Sequence, residues 1–184
     1  MSRIILIFGT AAGLIVAVPM CLLLANAEPG AAVTSQFAGY LMMVLALSLI
    51  FFGVKRLRDR ELGGVIRFVP ALLAGLGISA VAGVIYVIGW EITLAVTDFA
   101  FVDSYSTAAV EAARAKGASA ADIEAVVVKM AEFRRQYANP FIRLPITFIE
   151  IFPVGCLISL ISAALLRNSR FLPARTSLDH RQAD

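Results

Sequence analysis

This sequence predicts an all-α membrane protein: a four-transmembrane-helix bundle with an extracytoplasmic helical hairpin between the third and fourth spans. Three observations carry that prediction. Hydrophobic residues make up 60% of the chain against 16% charged, and the mean hydropathy of +0.86 is wrong for a soluble globule of 184 residues. Four apolar segments are each long enough to cross a hydrocarbon core about 30 Å thick, at a helical rise of about 1.5 Å per residue. One further stretch, 98–139, balances six acidic against five basic residues and reads as facing water.

The chain divides accordingly. Residues 1–97 hold the first three spans, at about 4–25, 37–54 and 68–96; residues 98–139 form the hairpin, 140–166 the fourth span and 167–184 a cytoplasmic tail. Each span must be a helix, because an isolated segment in lipid can satisfy its backbone only internally. A signal peptide is the rival reading of the first span, since Ala25, Asn26 and Ala27 resemble a cleavage site. Its apolar core, Ile4 to Leu24, exceeds the usual length of roughly 7 to 15 residues, which favours a retained helix.

Orientation follows from Lys and Arg, which gather on the cytoplasmic side of short connections. Arg3 precedes the first span, Lys55, Arg56, Arg58, Arg60 and Arg67 lie between the second and third, and Arg167, Arg170 and Arg175 follow the fourth. The connection from Asn26 to Gln36 has no basic residue, only Glu28, and belongs outside. The expected location is therefore the inner membrane, multi-pass, with both termini cytoplasmic.

Within the hairpin, an Ala-rich helix from Asp103 to Lys116 closes on Gly117, and Ser119 with Asp122 opens a second helix as a capping pair. Ile123, Val126, Val127, Met130, Phe133 and Tyr137 recur on one face of that second helix at three-to-four spacing. The face packs on the first helix near Tyr105, Ala109, Ala112 and Ala113, lies on lipid, or docks a partner. Asn139 and Pro140 start the fourth span, with proline early in the helix where its missing N–H matters little.

Helices in lipid associate through small residues that let backbones approach. Gly9, Gly13 and Ala17 form such a step in the first span, Ala71, Gly75, Ser79 and Gly83 in the third, and Gly155, Ser159 and Ala163 in the fourth. They predict close contacts within one chain or between two copies.

Glu91 and Glu150 stand out, because a charge inside a span costs at least a few kcal/mol unless paired, hydrated or neutralised. Helical rise places Glu91 about 36 Å from Arg67, near the outer interface, and Glu150 roughly 25 Å from Arg167, so ~10 Å closer to the midplane. Glu150 shares a face with Arg143 and precedes Pro153, which should kink the helix and free the carbonyl of Ile149. One reading is a proton- or cation-responsive site of Glu91 and Glu150, with Arg143 as counter-charge and Tyr86 or Trp90 nearby. The other is interhelical polar glue worth ~1 kcal/mol per contact.

Other chemistry finds no support. Cys21 and Cys156 sit in apolar stretches as small hydrophobes, and the single histidine, His180, lies in the polar tail, so neither a metal nor a cofactor is expected. The net charge of +3 is spread beside the spans, against nucleic-acid binding. No Ser/His/Asp or Cys/His arrangement, phosphate loop or dinucleotide fingerprint is present, so no enzyme is expected.

The runs Tyr86–Ile92, Lys116–Ser119, Asn139–Pro140, Ile149–Gly155 and Ile158–Ala163, with Gly63–Phe68 after the basic residues, resemble the bacterial membrane family called domain of unknown function 4199, DUF4199. The likeness runs from the first span to about Leu166. It implies that Glu91 and Glu150 occupy the family's acidic motif positions, without assigning them a role. Gly89 departs from the Thr or similar residue the family pattern places there, and any polar contribution at that position is lost. The expected function is a non-enzymatic inner-membrane accessory or scaffold, its partners the lipid bilayer and either a second copy or an envelope protein. The alternative is a small proton- or ion-coupled transporter using intramembrane carboxylates.

Overall fold

The computed structural model describes residues 1–26 and 36–174, with side chains from residue 38 onward in the second segment. Glu28, Arg175 and His180, which carried parts of the orientation and metal arguments, lie outside the described residues. Among the described residues seven helices follow one another: α1 (Ser2–Ala25), α2 (Gln36–Leu47), α3 (Leu49–Glu61), α4 (Phe68–Val96), α5 (Ala100–Ala115), α6 (Ala120–Tyr137) and α7 (Pro140–Leu166). No strand occurs among the described residues.

Among the described residues four stretches are long and apolar enough to cross a membrane: α1, α4, α7 and the stretch Ala38–Glu61 formed by α2 and α3. α2 meets α3 at Ser48, whose hydroxyl donates to the carbonyl of Leu45 at 2.6 Å. This second span runs seven residues past the expected end at Val54. Lys55, Arg56, Arg58 and Arg60 are therefore on the helix, not in a turn. Asp59 sits within the extension and pairs with Lys55 one turn back, a spacing that favours the helix, and with Arg58 beside it, at 2.7 Å from the latter. The chain then reverses between Leu62 and Arg67, where Gly63 and Gly64 adopt positive φ of 63° and 87°.

Glycine determines how the bundle closes. A Cβ at Gly9 or at Gly13 would fall 2.6 Å from the Cβ of Val81 or Ile85, so α1 and α4 lie backbone to backbone and run parallel. On its other face α4 runs antiparallel to α7, where a Cβ at Gly75 would come within 2.8 Å of Ser159 and one at Gly155 would overlap the Ser79 hydroxyl. The small-residue steps are thus used inside one chain. α3 fits against both α1 and α4, its Gly53 facing Phe8 and Ile78. Around this centre Ile50, Val54, Leu57, Ala71, Ile78, Ala82, Ile151 and Leu166 form the main core. Outward-facing Leu6, Leu14, Leu73, Ile88, Ile149 and Leu157 are each at least 47% exposed, the apolar belt of a membrane bundle.

Arg58 is fully buried at the end of the bundle where α3 and α7 finish, donating to the carbonyls of Phe171 at 2.9 Å and Leu172. At the opposite end α5 and α6 form the hairpin. Gly117 turns at φ 71°, and the Ser119 side chain caps α6 by accepting from the Asp122 N–H at 3.2 Å, as the sequence predicts. α5 begins at Ala100, three residues before the expected Asp103.

Candidate functional site

The polar residues singled out in the spans collect where α4, α7 and the hairpin meet, but in two separate arrangements. In the first, Arg143 takes Glu91. Arg143 Nε donates to Glu91 Oε1 at 2.7 Å and Nη2 to Oε2 at 2.6 Å, a two-pronged pair between neighbouring antiparallel helices. Nη1 donates to the carbonyl of Tyr137 at 2.8 Å, at the end of α6. The guanidinium carbon also lies 5.2 Å from the Phe99 ring centre and 5.9 Å from that of Tyr137. Arg143 is 5% exposed, and each of its three side-chain nitrogen atoms has an acceptor. One residue therefore ties α4, α6 and α7 together.

Phe99 reaches that position from a left-handed backbone, φ 59°, beside Asp98 at φ 47°. Non-glycine residues adopt this region at a cost of order 1–3 kcal/mol when the surroundings impose it. The tight reversal from α4 into α5 imposes it here. Phe99 was not identified from sequence, since a single phenylalanine after an apolar span has no periodic signal.

In the second arrangement Glu150 stands apart from Glu91. Its polar contact is the hydroxyl of Tyr86, which donates to Oε2 at 3.4 Å. Among the described residues no Lys or Arg pairs with it. Glu150 lines a cavity of about 300 Å³ whose walls come from α1, α2 and the helices around the polar cluster, including Pro19, Met20, Tyr40, Met43 and Phe101. Tyr86, Trp90 and Tyr137 line it as well, although each is otherwise at least 92% buried. Trp90 Nε1–H donates to the Tyr137 hydroxyl at 2.6 Å, joining α4 to α6.

The two glutamates predicted to form one site are therefore divided: Glu91 holds Arg143, and Glu150 faces the cavity. Pro153 lies in an α7 that runs from Pro140 to Leu166, through both Pro145 and Pro153. Gly89 allows Ala17 of α1 to come close, since a Cβ there would fall 2.5 Å from the Ala17 Cβ. A larger residue at this position would push α1 away from α4.

The apolar face of α6 is partly occupied by the chain itself. Trp90, Phe101, Tyr105, Phe133 and Tyr137 form a continuous aromatic run with successive ring centres 4.9, 6.0, 5.6 and 5.1 Å apart. Phe133 and Tyr137 thus belong to the joint between hairpin and bundle. Ile123, Val126 and Met130 are half-buried, and Val127 remains 47% exposed. The Glu132 carboxyl, on the outer side of α6, is held below the usual carboxylate range by Arg135 and Gln136, which donate to it.

Fold and site together define a multi-pass membrane protein, a helical bundle of membrane-length spans with a half-buried ion pair beneath a helical hairpin. Within that class, the protein family of unknown function DUF4199 matches residues 7–168, and the chain belongs to it. No curated protein and no solved structure matches the chain.

Proposed function

We propose that the protein is a non-enzymatic accessory or scaffold of the bacterial inner membrane, with both termini cytoplasmic and the α5–α6 hairpin on the extracytoplasmic side. The observation that carries this reading is the attachment of the hairpin. Arg143 bonded to Glu91 and Tyr137, with Trp90 bonded to Tyr137, makes a fixed platform of a water-facing insert. The basic residues of α3 and those after α7 lie at the other end, as the preference for cytoplasmic Lys and Arg requires. Val127 and Val128, 47% and 63% exposed on α6, are the contact residues for an envelope protein or a second copy. Photo-crosslinking amino acids at these positions in intact cells are expected to give adducts with another polypeptide. Adducts confined to α5 of the same chain, at Ala109 or Ala113, would overturn the reading.

A second reading, a small ion-coupled transporter, is favoured by Glu150 standing without a paired cation on a cavity among the spans. It predicts pH-gradient-driven flux in proteoliposomes that Glu150→Gln abolishes while the variant still folds and inserts. Absence of flux in the wild type across a panel of ions removes it.

A further inference from the structure

Among the described residues the cavity bears one carboxyl group, set among aromatic side chains. Tyr40, Tyr86, Trp90, Phe101 and Tyr137 line it together with Glu150, and the rest of its wall is aliphatic or thioether. Arg143 cannot serve as the missing counter-charge without abandoning Glu91, to which its Nε and Nη2 are bonded, or the Tyr137 carbonyl, which takes Nη1. A carboxylate in apolar surroundings is stabilised by a cation brought to it, and aromatic faces add their own attraction for positive charge. A small metal ion is a poor match, because hard cations need several oxygen ligands and the described residues of this wall offer one carboxylate with a few hydroxyls. An organic cation keeps its charge on an apolar body and needs no such cage.

We propose that this cavity binds an amphipathic organic cation, a quaternary or protonated amine carried on an apolar group, with Glu150 as its counter-charge and Tyr86, Trp90 and Tyr137 beside it. The inference names a ligand class for the cavity of the transport reading, but it rests on the cavity and holds with or without flux. A free lipophilic amine and the ammonium headgroup of a lipid share this chemistry.

Trp90 is the only tryptophan in the chain and lines the cavity, so its emission reports occupancy directly. The full chain in phosphatidylglycerol nanodiscs is titrated with benzyltrimethylammonium and, separately, with neopentylbenzene, its neutral carbon isostere. A saturable change with the cation alone is expected, weakened roughly tenfold or more in Glu150→Gln and largely kept in Glu150→Asp. Adding phosphatidylethanolamine to the disc weakens probe binding if a lipid headgroup is the natural occupant and leaves it unchanged if a free amine is. The proposal fails if the wild type shows no saturable change, if the neutral isostere binds as well as the cation, or if a folded Glu150→Gln binds unaltered. The isostere comparison uses the wild type alone and stands even if Glu150→Gln does not fold. Binding without flux would keep the site and remove only the transport reading.

Discussion

Glu91 and Glu150 are chemically identical groups with different neighbours, and the neighbours determine what each does. Glu91 has a guanidinium within 2.7 Å, buried and satisfied on its other side by a backbone carbonyl. Removing the carboxylate strands that guanidinium, and stranding a buried charge is far more costly than never having the pair. Glu91→Gln should destabilise the protein by about 3 kcal/mol, the low end for a buried pair, because the Glu91 side chain keeps 32% of its exposure. The double variant Glu91→Gln with Arg143→Met should recover much of the loss. Thermal unfolding in detergent measures both, and a single variant as stable as the wild type would show that the pair is only polar glue. Arg143 itself could be recognised in sequence as a partner for a span carboxylate, but its helical periodicity pointed to Glu150, on the same helix. The geometry chose Glu91 because a long side chain reaches across to α4 more readily than along its own axis.

At the level of helices, the α4–α7 contact depends on glycine opposite serine. The Ser79 hydroxyl is buried without a hydrogen-bond partner among the described residues and sits where a Cβ of residue 155 would go. Gly155→Ala should therefore cost about 1–3 kcal/mol through overpacking, and Ser79→Gly in the same chain should restore part of it, read as unfolding midpoints. An equal midpoint for Gly155→Ala would mean that α7 is free to shift. The joint between α6 and the bundle carries a different signature. Burial pushes the Tyr137 hydroxyl above its ordinary range, opposed in part by the N–H that Trp90 donates to it. The folded state then keeps this proton at a pH where the unfolded chain loses it, so the stabilisation is complete below about pH 10 and declines above it. Tyr137→Phe should lessen the alkaline loss of stability, followed by Trp90 emission; an unchanged alkaline profile would place the titrating groups elsewhere.

For the molecule as a whole, polar anchors close both ends of a bundle whose middle is held by small residues. Arg143 anchors the hairpin end. Arg58 anchors the other, donating to Phe171 and Leu172 from a position with no exposure at all. In sequence Arg58 is one of several basic residues flanking a span, and nothing distinguishes it from Arg56 or Arg60, which stay exposed. Arg58→Gln should release the segment after α7, raising amide exchange at Phe171 and Leu172 by roughly tenfold or more if about 1.4 kcal/mol or more of local stability is lost. Exchange that stays slow would mean that Phe171, packed at 6.4 Å against the ring of Phe51, holds the segment without it.

The sequence by itself determined the number of spans, the helical hairpin, its cap at Ser119 and the small-residue faces. These follow from composition, length and local backbone chemistry, which act within a few residues of one another. It also marked the polar residues of the site, because a charge in an apolar run is conspicuous wherever the run goes. Only the tertiary structure decided which glutamate meets Arg143, that the glycine steps join α1 to α4 and α4 to α7 inside one chain, and that Phe133 and Tyr137 turn inward. Those outcomes depend on the rotation and depth of each helix against its neighbours. In lipid, where apolar faces are nearly interchangeable, rotation and depth are set by close packing and a few polar bonds across the interface.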